Sequence, residues 1–296
     1  MSTFKHILTG VKIVQKSWPL IVVTFAFKFA LAFLFVIPLQ NLASEAFGYR
    51  PAAELLLKEW NLTPLIDFIF NNLNVLKQYG YFIVVGVIFA LTLHTFLSGG
   101  FFRALAVAQH GEYETLSAER FFGWCGRYFW KFMKIALISA IFYVVITFLF
   151  IILSTLGMRL ILSDFTSEPV RIFVALGQLI TLLLLLLFIN MIMTYVKITT
   201  VSDEESQVLD TLGETVEFFS KNFGKALALY GGLLIGLLFF WGIFWVLQMG
   251  CGLLPTTMTI IALFILQQAL SLTRSWYRLV GNASHTSLYF NNRAIR

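Results

Sequence analysis

Residues 182–187 read LLLLLL, the most lipid-like run of the chain, and apolar runs of this kind decide the fold. A bilayer core about 30 Å thick needs roughly 20 apolar residues of helix to cross it. We therefore predict an all-α fold, a polytopic membrane helical bundle with six transmembrane helices. The six segments of sufficient length are 18–39, 80–100, 132–156, 170–195, 224–248 and 257–277.

The composition is that of a membrane protein. Of the 296 residues, 59% are hydrophobic and 12% are charged, and the mean hydropathy is +0.84, far from the values of soluble domains. The net charge of +6 is also found in proteins that bind nucleic acid. Here, however, the cations lie between apolar spans, which indicates membrane topology and attraction to lipid headgroups. We expect membrane lipids as partners and no nucleic acid.

The basic residues also set the orientation. Fifteen of the 21 lysines and arginines fall on one side of the six spans, five fall on the other, and Lys28 lies within the first span. Because positive residues are retained on the cytoplasmic side, both termini are predicted to be cytoplasmic. The apolar run after Lys16 is longer than that of a signal peptide, which predicts an uncleaved first span. The expected location is a bacterial inner membrane.

Three spans begin with the same kind of triplet, a basic, a polar and an aromatic residue: Lys16-Ser17-Trp18, Arg127-Tyr128-Phe129 and Lys221-Asn222-Phe223. Amphipathic segments precede them over 4–14, 116–132 and 208–223, and this pattern predicts helices that lie in the headgroup plane. The residues expected to anchor the boundary by facing lipid are Lys16, Trp18, Arg103, Arg127, Phe129, Lys197, Lys221, Phe223 and Arg274.

The spacing of these boundaries favours an internal repeat. Arg103 precedes Phe129 by 26 residues, and Lys197 precedes Phe223 by 26 residues. The alternative is that every polytopic protein places cations and aromatic residues at this boundary. The repeat hypothesis predicts three hairpin units within a single membrane domain. Their approximate bounds are 1–110, 111–204 and 205–296.

Two segments carry a family resemblance: Phe101 through Gly123 into Arg127-Tyr128-Phe129, and the acidic stretch from Ser202 to Phe223. They resemble the six-helix bacterial inner-membrane proteins related to the membrane domain of glycerophosphoryl diester phosphodiesterases. The resemblance covers nearly the whole chain as a pattern. It implies the architecture and leaves the function open, because those proteins are largely uncharacterised and the membrane domain is not the hydrolytic part. We expect no phosphodiesterase catalytic barrel, because the six spans leave no room for it in this sequence.

Polar residues within the spans are candidates for a functional site. Lys28 lies ten residues beyond Trp18, about 15 Å along a helix and near the bilayer centre. An ammonium group there is costly unless it faces water or a partner, and the alternative is a side chain that snorkels to the headgroups. For the other candidates the alternative is an interhelical hydrogen bond. These candidates are His94, Asn190, Gln267 and Gln268.

No catalytic or metal-binding motif is found in the sequence. The four histidines are scattered, and Cys125 and Cys251 have no partner at metal-ligand spacing. Paired carboxylates within the spans and a phosphate-binding glycine loop are also missing. We therefore expect no cofactor, no metal and no enzymatic activity. Gly232 and Gly236 form a GxxxG pattern, which predicts either self-association or close packing within the chain.

Two functional hypotheses follow. The first is a non-enzymatic scaffold or envelope and lipid-homeostasis component, which interacts with lipids or membrane partners through the aromatic-rich amphipathic segments. The alternative is a small-solute or lipid transporter or channel, with Lys28 and the amides of spans four and six along a polar path. A helix on the outer side is also predicted over 63–77, because Thr63 and Pro64 have the residue types of a helix start.

Overall fold

The computed structural model describes residues 3–47, 70, 73–111, 117–161, 168–203, 205–251 and 256–293. Within these ranges there are seven helices and no strand, which confirms the all-α fold. The helices are α1 (Thr3–Lys16), α2 (Trp18–Phe47), α3 (Leu73–Gln109), α4 (Ala118–Ile161), α5 (Glu168–Ser202), α6 (Val208–Cys251) and α7 (Thr256–Arg293). The outer helix predicted over 63–77 lies largely outside the described residues, and its residues 73–77 begin α3.

Six of these helices are long and apolar enough to cross a membrane, as predicted. Several extend well beyond what a bilayer requires. Helices α4 and α6 have 44 residues each, which corresponds to about 66 Å of helix against a hydrocarbon core of about 30 Å. The apolar stretches are Trp18–Pro38, Tyr79–Gln109, Ala118–Gly157, Ile172–Ser202, Val208–Cys251 and Met258–Arg293.

The chain divides into two compact units, Val22–His94 and a larger unit of Met1–Ile21 with Thr95–Arg296. In the smaller unit, Phe35 is the main contact between α2 and α3. The hydroxyl of Tyr79 donates a hydrogen bond of 3.0 Å to the carbonyl of Phe35, and the Phe35 ring lies edge-on to Phe82 at 6.2 Å. Gly86 lies directly against the same ring, so a small residue allows this close approach.

The core of the larger unit lies where the first turns of α4 and α6 meet the last turns of α3, α5 and α7. We call this region the packed end. Aromatic and aliphatic side chains from all five helices form one cluster there, centred on Tyr195 and Phe132. Burial of such side chains is the main stabilising contribution to the unit. The packed end comprises residues 6–20, 97–108, 121–135, 189–201, 208–233 and 275–289.

Helix α1 packs along the last turns of α7. Its buried residues include His6, Gly10 and Val14, whereas Phe4 and Leu8 of the predicted apolar face are exposed. Gly10 allows the contact, because a Cβ atom at this position would lie only 2.8 Å from the carbonyl oxygen of Val280. The helix therefore docks through a mixed face of His6, Gly10, Ile13 and Val14 and leaves two bulky apolar side chains outward.

The three predicted entry triplets differ in the structure. Ser17 separates α1 from α2, and Asn222 kinks α6 with φ −124° and ψ 18°. At Tyr128 no break occurs, because α4 runs without interruption from Ala118 to Ile161 and Tyr128 is buried in the packed end. The prediction of a separate surface helix over 116–132 is wrong for the described part of that segment: residues 118–132 are the start of a continuous helix held by the core.

Gly232 and Gly236 face other parts of the same chain. Gly236 lies directly against the side chain of Tyr277 on α7, and the position of a Cβ atom at Gly232 is 3.6 Å from Ile7 on α1. The hydroxyl of Tyr277 also donates a hydrogen bond to the carbonyl of Leu233. Of the two predicted uses of the GxxxG pattern, the structure shows close packing within the chain.

Candidate functional site

The packed end contains a polar group on α5, α6 and α7 in which Tyr195 and His285 are buried, Tyr230 is half-buried and Asn190 is exposed. We call Asn190, Tyr195, Tyr230 and His285 the tyrosine–histidine cluster. Nδ1 of His285 lies 2.9 Å from the hydroxyl oxygen of Tyr195, and the Tyr230 ring lies 5.8 Å from the His285 ring. The side-chain amide of Asn190 donates a hydrogen bond of 3.0 Å to the Tyr230 hydroxyl.

This cluster joins helices that are far apart in sequence. Tyr195 and His285 are 90 residues apart, and both are buried among apolar neighbours. A buried polar group without a partner is costly, so each such pair favours one arrangement of the helices over others. The cluster thus contributes specificity to the packing of α5, α6 and α7.

A layer of buried hydroxyl groups continues the same contact between α5 and α6. The Thr215 hydroxyl lies 3.1 Å from that of Thr199, and the hydroxyls of Thr200 and Thr211 are 3.4 Å apart. All four side chains are fully buried. Interhelical hydrogen bonds of this kind are typical of membrane proteins. No group of three or more potential metal ligands occurs in the part of the chain that the structure describes.

The five predicted polar-site residues are distributed over both units. Lys28 and His94 lie in the smaller unit, where both are half-buried and engaged in interactions. Asn190 belongs to the tyrosine–histidine cluster. Gln267 is exposed and Gln268 half-buried on the first half of α7. For Asn190, the structure shows the interhelical hydrogen bond that was the alternative to a ligand site.

The predicted boundary anchors divide into an exposed set and an inward set. Arg103 and Lys197 point into the bundle, so the prediction that they face lipid is wrong for both. Nη1 of Arg103 donates to the carbonyl of Val201, 3.3 Å away, and Nζ of Lys197 lies 6.0 Å from the centre of the Phe102 ring. Phe129 is half-buried against Phe96. The exposed members are Lys16, Trp18, Arg127, Lys221, Phe223 and Arg274.

Cations that point into the bundle near the end of a helix can satisfy carbonyl groups there. The carbonyl groups in the last turn of a helix lack partners within the helix, and the C-terminal end of the helix dipole favours positive charge. Val201 is in the last turn of α5, so Arg103 satisfies one of these carbonyls. Lys131 makes a similar contact, with Nζ 3.1 Å from the carbonyl oxygen of Ser206.

A basic cavity lies between the last turns of α1 and the end of α3. We call it the lysine notch. Its volume is about 280 Å³, and Oε1 of Gln109 is a buried acceptor with no hydrogen-bond partner among the described residues. The notch is lined by Thr9, Lys12, Ile13, Gln15, Lys16 and Gln109.

Sequence reasoning missed the notch and most of the tyrosine–histidine cluster. Lys12 counted only toward topology, Lys16 was predicted only as a boundary anchor, and Gln109 follows the second predicted span without any motif. Tyr195 and His285 also stand alone in the sequence. The only local signal was the run of small and polar residues from Asn282 to Ser287, which is unusual in a helix that begins as an apolar span.

Comparison with known proteins does not assign the chain to a family. No family model, no curated protein and no solved structure matches it. The resemblance to the membrane domain of glycerophosphoryl diester phosphodiesterases stays a prediction from the sequence pattern. The function must therefore be argued from the geometry alone.

Proposed function

We propose that this integral membrane protein is a non-enzymatic scaffold or lipid-homeostasis component of a bacterial inner membrane, with both termini in the cytoplasm. The observation that carries the proposal is the contrast between the packed end and the spans. In the most apolar window of each span, between 6% and 22% of the residues are buried. Helix surfaces this open to their surroundings bind lipid or the transmembrane helices of other proteins.

Transport would call for a different arrangement. Transporters place substrate sites between packed helices near the middle of the membrane. Here the large buried cluster lies toward one end of the apolar stretches, and Asn190, a candidate for the polar path, binds Tyr230. Both observations favour a protein that works through its surfaces over one that encloses a pathway.

Photo-crosslinking from the spans tests the proposal. A photoreactive amino acid is placed at Ile141 or Phe148 on α4, both more than 60% exposed, and at buried Phe132 on the same helix as the matched control. In native membranes we expect the exposed positions to cross-link to lipid or to one discrete membrane protein. Phe132 should give products within the chain only.

A flux assay on the same protein tests the rival hypothesis. Vesicles that contain the purified full-length chain should release ions and small solutes no faster than protein-free vesicles. Solute flux through the wild type that is lost in the Lys28→Leu variant would overturn the proposal and favour the transporter alternative. Failure of Ile141 and Phe148 to cross-link more than Phe132 would also contradict it.

A further inference from the structure

The lysine notch has the chemistry of a small anion site. Its volume of about 280 Å³ is just below the range for drug-sized small-molecule sites, roughly 300 to 1,000 Å³, and suits a small headgroup. We infer that it binds the headgroup of an anionic phospholipid that carries a hydroxyl donor beside its phosphate, as in phosphatidylglycerol. This inference names a ligand for the lipid interaction of the proposed function and rests on it.

The charges of the notch favour a phosphate. Lys12 and Lys16 are one helical turn apart on α1, and both line the cavity. Like charges at this spacing repel each other, so an anion held by both ammonium groups relieves the repulsion. Lysine is also a frequent phosphate ligand in proteins, where it acts as a point charge.

The side-chain oxygen of Gln109 indicates that the ligand carries a hydrogen-bond donor beside its phosphate. Its Oε1 atom is buried and has no hydrogen-bond partner in the described part of the chain, whereas buried acceptors in proteins are normally paired with protein, water or ligand. A phosphodiester at neutral pH has no donor of its own. The substituent on the phosphate therefore has to supply the O–H group that Gln109 accepts.

The position of the notch favours a membrane source for this phosphate. Only Ser17 separates α1 from α2, and Trp18, the first residue of the first span, is 62% exposed. Phe4 and Leu8 on α1 are exposed as well. Exposed aromatic and aliphatic side chains on a basic amphipathic helix lie at headgroup depth. The cavity beside Lys12 and Lys16 thus opens where phospholipid phosphates are found.

Lipid titration of the purified full-length protein, read by native mass spectrometry, tests the inference. We expect tighter binding of phosphatidylglycerol than of phosphatidylcholine. The double variant Lys12→Gln, Lys16→Gln should lower the affinity for phosphatidylglycerol about 30-fold, because it removes two lysines that attract the charged lipid. Lys5→Gln is the matched control, because Lys5 is exposed on the same helix and does not line the notch. Its effect should stay below about twofold, well under the loss of about fivefold for each lysine of the notch.

Gln109→Leu distinguishes a site with specific contacts from general electrostatic attraction between the lysines and an anionic lipid, since it changes no charge. The inference predicts a loss of about threefold or more; Gln109→Met provides a second variant, and thermal unfolding checks the fold of each. The site would be overturned if Lys5, Lys12 and Lys16 each lowered the affinity for phosphatidylglycerol equally when replaced, and if both Gln109 variants bound the lipid like the wild type. Inorganic phosphate that binds as tightly as the lipid would overturn the membrane source. Either result leaves the cross-linking at Ile141 and Phe148, and with it the proposed function, unaffected.

Discussion

The two halves of α7 have opposite surfaces. In the first half, apolar side chains such as Met258, Ile260 and Ile265 are mostly exposed, and in the second half Ser284 and His285 are buried. A helix in a water-soluble protein shows the reverse distribution. Apolar side chains in lipid need no burial, but polar groups there must find partners inside the protein. The comparison teaches that apolar character alone does not mark the packed part of α7, whereas buried polar groups do.

Helix α4 repeats the comparison with one residue type. Phe132 in the packed end is 1% exposed, and Phe148 in the span is 62% exposed. Both side chains are equally apolar, so the difference comes from the number of protein neighbours. The packed end gains dispersion contacts and burial that the span does not, and its stability should respond to substitution accordingly.

The largest effect is expected at Phe132. Phe132→Ala leaves a cavity between α4 and its neighbours and should lower the free energy of unfolding by about 3–5 kcal/mol. The matched change Phe148→Ala should lower it by less than about 0.5 kcal/mol, because an exposed side chain leaves no cavity. Thermal unfolding in one detergent compares the two variants. Equal destabilisation would break the distinction between packed end and span.

Glycine substitutions should show a smaller contrast of the same kind. A Cβ atom at Gly10 meets the backbone of α7, whereas nothing lies within 4 Å of a Cβ atom at Gly177 in the span of α5. Gly10→Ala should destabilise by about 2–3 kcal/mol through overpacking. Gly177→Ala should be neutral or slightly stabilising. Limited proteolysis of α1 measures the expected loss of its docking on α7. A cleavage pattern of Gly10→Ala that equals that of the wild type would contradict the close contact between α1 and α7 at Gly10.

Removal of one hydroxyl group tests the buried polar chemistry. Tyr195→Phe leaves Nδ1 of His285 without the partner that lies 2.9 Å away, which should lower the free energy of unfolding by about 1–2 kcal/mol. Tyr81→Phe is the control, since Tyr81 is an exposed tyrosine of a span. A double-mutant cycle with His285→Phe measures the coupling. A coupling near zero would mean that the cluster does not contribute to the specificity of packing.

The smallest effect concerns pH. Burial, and secondarily the nearby positive charges of the N-terminus, Lys225 and Lys5, lowers the pKa of His6 below its ordinary value of 6.5. The unfolded chain then binds a proton more readily, so the contribution of His6 is complete above pH 6.5 and declines as the pH falls toward the lowered pKa. The unfolding temperature of the wild type should drop more between pH 7.5 and 5.5 than that of His6→Gln. Identical drops would contradict this role.

The sequence predicted the spans because hydropathy is a local property. Each of the six apolar runs can be read from about 20 consecutive residues, and all six are helices in the structure. The break at Ser17 and the kink at Asn222 also fall at predicted entries. The prediction of a separate surface helix over 116–132 failed because the Tyr128 ring is buried by neighbours from other helices. No local sequence pattern reveals such burial.

The candidate site was largely beyond reach of the sequence, because its contacts join distant segments. Nδ1 of His285 lies 2.9 Å from the hydroxyl of Tyr195, across 90 residues. Arg103 and Lys197 carried the same boundary signal as exposed Arg127, and only packing turned the first two inward.

The amino-acid sequence by itself determined that the chain is helical and that six helices can cross a membrane. The tertiary structure decided which turns pack together, which cations face inward, and that Lys12, Lys16 and Gln109 share one cavity. The physical reason is that transfer into lipid depends on each segment's own side chains. Contacts between helices instead depend on which faces and turns meet, and residues far apart in the chain supply them.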